Sequence, residues 1–160
     1  TGGSTPGMVN ATPSDDARLQ HVATGPYYKS DNAVLQVENW GRIRESFLKF
    51  NVTGVNGTVS GAKLRLVSGA AGSGTLNVYL GSSNNWTEDN LSQGNAPARG
   101  ALLGSLNGGF TAGSVHEIDL SGITGNGVIS LILTNTPSAG TLEFSSKEGA
   151  NAPVLEVAFQ

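Results

Sequence analysis

Arg44-Glu-Ser-Phe-Leu-Lys-Phe50 and Phe144-Ser-Ser-Lys-Glu-Gly-Ala-Asn-Ala-Pro-Val-Leu-Glu-Val157 are the two segments on which the reading of this chain turns. In the first, Leu48 and Phe50 fall on one face of an extended strand and Phe47 and Lys49 on the other, the period of two expected of a β-strand. The second is a closing strand, a polar turn and a terminal strand. Between and before them the same pattern recurs at short intervals: 16–22, 33–38, 45–52, 62–68, 75–80, 101–106, 115–120, 127–134, 141–146 and 154–159. Gly-rich turns such as 68–74 and 107–109 separate these candidate strands, and nothing sustains a helical period. The expectation is an all-β, antiparallel β-sandwich of jelly-roll type.

Composition agrees. Charged residues are only 13% of the 160, against a usual ~25%, and there are 23 Gly and 6 Pro. The polar surface must therefore come from Ser, Thr, Asn and Gly, as in extracellular all-β modules. No cysteine is present, so neither disulfides nor thiolate chemistry enter. No apolar run approaches the ~20 residues of a membrane span. No signal peptide opens the chain, which reads as a mature fragment or excised module. Residues 1–14 carry no charge and no periodicity and read as a linker, with residues 15–160 as one folded domain.

The net charge of −3 argues against general nucleic-acid binding. Its distribution is uneven. Arg18, Lys29, Arg42, Arg44, Lys49, Lys63 and Arg65 lie between residues 18 and 65, giving +4 there and −7 elsewhere. Strand parity turns Lys49, Lys63 and Arg65 outward, and Arg18 is given the same parity in its own strand. If these strands share a sheet, the cations form a row on its outer face. Lys29, Arg42 and Arg44 would flank such a row, and Lys147 would approach it from the terminal hairpin. The plainer reading is a solvated face whose cations pair with Glu38, Glu45 and their neighbours, and Lys147 with a structural ion pair. Both readings stand at this point.

The segments Asp16-Ala-Arg-Leu, Asn32-Ala-Val-Leu-Gln-Val, Arg44-Glu-Ser-Phe-Leu-Lys-Phe-Asn-Val, Ala62-Lys-Leu-Arg-Leu, Leu76-Asn-Val-Tyr, Asn85-Trp-Thr-Glu and Ser146-Lys-Glu-Gly-Ala-Asn-Ala-Pro-Val-Leu-Glu-Val follow in that order. In this order the chain resembles the DNRLRE-domain family, part of which is carbohydrate-binding module family 96. The resemblance implies a jelly-roll module, and characterised members recognise alginate. Two departures, the stretch 24–31 and a Trp86 loop without a second Trp, lie in loops, where ligand choice resides.

A uronate polymer presents one carboxylate per sugar, about 5 Å apart and close to the ~4.8 Å spacing of strands. Arg offers a planar fork to each carboxylate and Lys a point charge. Among aromatic residues, Tyr79 points outward and is the preferred sugar contact; Trp86 is expected to plug the end of the sandwich and Trp40 to staple a hairpin. No catalytic residues are assigned. His21 and His116 stand in unrelated patterns, and a lyase built on Tyr28, His21 and Arg44 has nothing to fix its geometry. No cofactor is required. A structural calcium ion is left open, with Asp15, Asp16 and Glu148 as conceivable donors.

The expectation is thus a non-catalytic, extracellular carbohydrate-binding module that holds a polysaccharide-degrading enzyme, its catalytic domain in the same polypeptide, on an anionic polysaccharide. Alginate is the first expected ligand. The alternatives are a structural or adhesive sandwich that binds no sugar, and a module for a sulfated or neutral polysaccharide.

Overall fold

A computed structural model describes residues 6–22, 28–29, 34–136 and 140–160. Among the described residues twelve strands run in chain order: β1 (Gly7–Ala11), β2 (Pro13–Val22), β3 (Tyr28–Lys29), β4 (Val34–Trp40), β5 (Arg42–Val52), β6 (Val59–Val67), β7 (Gly72–Gly81), β8 (Arg99–Phe110), β9 (Val115–Leu120), β10 (Gly127–Asn135), β11 (Leu142–Ser145) and β12 (Val154–Phe159). Every pairing is antiparallel. Among the described residues there is no helix. The protein is a β-sandwich of jelly-roll type, as the alternating segments predict.

The smaller sheet has the order β1-β12-β6-β9, and the larger runs β11-β4-β5-β10-β7-β8, with β2 and β3 added beside β5. Leu48, Phe50, Leu64, Leu66, Leu76, Val78, Leu131, Leu133, Leu155 and Val157 meet between the sheets, each fully buried. Their alternation is what the sequence displays, because one face of every strand must leave water. At the join of the sheets β8 passes close to β9. A Cβ on Gly104 would stand 2.2 Å from the Asp119 carbonyl oxygen, so glycine is needed there.

Two expectations are corrected. The segment read as a linker contributes β1, whose residues 7–11 pair in register with 159–155 of β12. Val9 and Ala11 pack against the core. The uncharged stretch hides a short alternation, Met8 out and Val9 in, that needs the β12 edge to become a strand. The second correction concerns the large sheet's outer face, which is not free. Ala17, Leu19, Phe47 and Ile132 point outward there, and residues 82–98 fold over them, burying Trp86 and Leu91 in a second core. Trp86 therefore caps a sheet face and does not plug the end of the sandwich. Its indole Nε1 donates to Ser130 Oγ at 3.0 Å, and its ring meets Phe47 edge-on at 6.1 Å.

Candidate functional site

Strand register explains where the basic residues go. β2 pairs with β5 so that Asp16 opposes Leu48, Arg18 opposes Ser46 and Gln20 opposes Arg44. Cross-strand partners share a face, so Arg18 lies on the inward side and not with Lys49. Beyond Glu38, β4 leaves β5 and crosses this inward side: Ser46 Oγ donates to the Gln36 carbonyl at 2.8 Å and Arg18 Nη1 to that of Val34 at 3.2 Å. Arg18 is consequently buried, at 6% exposure.

The single basic row is not formed, because its members belong to different sheets. Lys49, on the outer face of the large sheet, lies beneath the 82–98 loop. It pairs with Asp15 at 3.5 Å, donates to the carbonyls of Asn84 and Trp86, and sits 5.2 Å from the Trp86 ring centre. Lys63 and Arg65 stand on the smaller sheet, where Glu117 holds Lys63 at 3.3 Å and Glu156 holds Arg65 at 3.1 Å. A joint Lys49→Ala and Arg65→Ala change would therefore touch two separate faces. Lys147 forms ion pairs with Glu88 at 2.7 Å and Glu148 at 2.9 Å, fulfilling the plainer reading. Tyr79 does face outward but is half-buried against the second core, with the Arg99 guanidinium 5.4 Å from its ring centre. Lys29 opposes Leu19 in register; its side chain, with those of His21 and Tyr28, lies outside the described residues.

What the fold does bring together is a basic edge at the β4–β5 hairpin. Glu38 opposes Arg44 and Trp40 opposes Arg42 across a turn made at Gly41, whose φ of 76° favours glycine. Glu38, Trp40, Arg42, Arg44 and Gln20 thus share one face, with Arg18 one step further along β2. Arg42 Nε donates to Glu38 Oε1 at 2.8 Å, Arg44 Nη1 stands 4.0 Å from Glu38 Oε2, and Arg44 Nε donates to Gln20 at 3.0 Å. Burial pushes the Glu38 carboxyl up, but the Thr141 hydroxyl, Arg42 and Arg44 more than reverse this and hold it below its ordinary value. Register thus gathers three guanidiniums, of Arg18, Arg42 and Arg44, along this edge. Trp40 is 71% exposed and Arg42 43%, so an indole face and a guanidinium stand side by side in solvent. Sequence reading placed Trp40 as a staple; that it is bare is visible only once its hairpin is seen to project. Arg99, absent from the sequence-derived candidates, is the other cation the fold makes interesting.

Two of the conceivable calcium donors accept backbone N–H groups. Asp15 Oδ1 accepts the Glu88 N–H at 3.0 Å, and Asp16 Oδ2 that of Lys147 at 2.7 Å. Among the described residues no group of acidic or histidine side chains is placed to hold a metal ion.

The sequence profile of carbohydrate-binding module family 96 matches residues 7–159. The chain belongs to carbohydrate-binding module family 96. It is a carbohydrate-binding module, and its match includes β1, consistent with that strand's place in the fold. No curated protein matches this family 96 chain. Among solved structures it is similar to a β-1,3-glucan binding family 6 module from Bacillus halodurans, with 13% identity, 96% of each chain covered and a TM-score of 0.43. It is similar also to a family 6 module from Clostridium cellulolyticum solved with xylose, with 15% identity, 92% and 94% coverage and a TM-score of 0.41.

Proposed function

We propose that this module holds a secreted polysaccharide-degrading enzyme on an anionic polysaccharide, alginate first, and that the β4–β5 edge is where it does so. Family membership carries the reading; the exposed pair of Trp40 and Arg42 supports the ligand class. A pyranose ring would lie on the Trp40 face, since its C–H surface is apolar and the indole offers a large flat one. Its carboxylate would meet the guanidinium edge of Arg42 that Glu38 leaves open. One exposed ion pair contributes little, so the polymer must engage several sugars at once to be held.

Titration of the module against alginate, a sulfated glycan and a neutral glucan at low and high salt tests this. Expected is selective alginate binding that falls with salt and weakens about tenfold in Arg42→Ala, the scale of a charge-assisted contact. Loss of all glycan binding in the unaltered module would point to a spacer role. Binding of the neutral glucan alone, indifferent to salt, would leave the basic edge without a function.

A further inference from the structure

The 82–98 loop covers only part of the large sheet's outer face. Beside its second half a groove of about 260 Å³ remains, floored by Leu19 and Phe47, walled by Pro97 and bordered by Glu45, Gln93 and Arg99. The groove lies on the opposite side of β5 from Arg42 and Arg44, because Glu45 and Phe47 alternate with them. Its roof is held in place. Trp86 is anchored on Ser130, Lys49 on two loop carbonyls, Glu88 N–H on Asp15, and Ser92 N–H on Asn95 at 2.7 Å. A ligand entering therefore meets a site already shaped, which lowers the ordering cost of binding.

Among the described residues the polar border carries one charge of each sign. Arg99 Nη2 stands 3.3 Å from Glu45 Oε2, and the same guanidinium lies over Tyr79, so its position is fixed from two sides. A carboxylate gains little here, since Glu45 already neutralises Arg99 and would repel it. A hydroxyl both donates and accepts, and a pair of adjacent hydroxyls can use both members of the ion pair. The apolar lining, to which Ala96, Pro97 and Ala98 add beside the nearly buried Leu19 and Phe47, suits the C–H face of a ring, and the volume suits one sugar and not a longer segment.

We propose that this groove is a second subsite that takes one neutral pyranose ring, with Glu45 accepting from and Arg99 donating to its adjacent hydroxyls over the Leu19–Phe47 floor. The proposal rests on the carbohydrate-binding reading above, and not on alginate being the ligand. It makes the module two-sided: a charged edge and a neutral groove on opposite faces of β5.

The test titrates the full chain with tetrasaccharides of β-linked glucose, mannose, galactose and xylose at low and high salt, with alginate in parallel. Expected is binding of at least one neutral tetrasaccharide that changes by no more than about twofold with salt. That binding should weaken about tenfold in Glu45→Gln and in Arg99→Met, as loss of a charge-assisted hydrogen bond requires, with alginate affinity and melting temperature kept. Alginate binding with no neutral binding would overturn this proposal alone, as would neutral binding indifferent to both substitutions. Absence of all glycan binding would overturn it together with the proposed function.

Discussion

Trp40 and Trp86 are the two tryptophans of the chain, and the fold treats them oppositely. Trp86 is 1% exposed, with its N–H satisfied by Ser130, whereas Trp40 is 71% exposed. A soluble quencher such as acrylamide should therefore reach one emitter only. If Trp40 is the sugar platform, saturating alginate will protect the quenchable emission, and Trp40→Phe will leave a signal that acrylamide hardly touches. Quenching unchanged by saturating alginate would remove Trp40 from the site. The same contrast applies to the cations. Lys49 and Arg42 lie in one strand, yet Lys49 holds a loop while Arg42 meets solvent. Identity and parity were legible in the sequence; the presence of a loop above Lys49 was not, since nothing in the alternation of residues 45–52 reports what packs on the outer face.

At the scale of elements, the 82–98 loop, the start of β2 and the turn before β12 are tied by one polar cluster. Burial, with Glu148 and Glu88 nearby, raises the Asp16 carboxyl to about 7, although the Lys147 N–H works the other way. Burial also works against ionisation of Glu148, but Lys147, Glu88, Asp16 and Ser146 lower it to about 2. Both follow if Asp16 keeps its proton and donates it to Glu148 in a hydrogen bond, an arrangement that gives the buried, otherwise unpartnered Asp16 Oδ1 an acceptor. The Glu88 and Glu148 carboxylates hold the Lys147 ammonium above its ordinary value. The signs are then determined. The folded state binds the Asp16 proton more tightly than the unfolded chain, whose value is 3.8, so this stabilisation is complete below that value and is lost as pH rises through about 7. The Glu148 contribution is lost only as pH falls from its ordinary value of 4.5 through about 2. Between about pH 5 and about pH 8 the wild type should thus lose melting temperature relative to Asp16→Asn, which cannot ionise. Parallel melting curves for the two proteins across that range would show that Asp16 carries no such proton.

For the whole molecule, the placement of β1 makes a sharp prediction. Five residues of β1 pair with β12, and the Phe159 ring lies so close to Gly7 that an added Cβ would be 2.5 Å from its Cζ. Removing residues 1–11 should lower the melting temperature by about 5 °C or more, the effect of roughly 1–2 kcal/mol in a domain of this size. A linker could be cut with no change at all. Melting unaltered by the truncation would mean that β1 adds nothing to the sandwich.

The architecture was readable from the chain because burial imposes a period of two on every core strand, and Leu48, Phe50, Leu64, Leu66, Leu76 and Val78 display it without help from their neighbours. The resemblance carried by the ordered segments reached the family in the same way. Tertiary structure decided the rest. Arg18 and Lys49 are both basic and both next to apolar positions, but the register of β2 on β5 puts them on opposite faces, and β4 and the 82–98 loop then cover each in turn. Lys63 and Arg65 were separated from them by the order of strands within the sheets, which local alternation does not encode. Parity says which residues share a side of one strand; only the pairing of strands distant in sequence says what faces that side, and so whether a charge there is a contact, a brace or a bare surface.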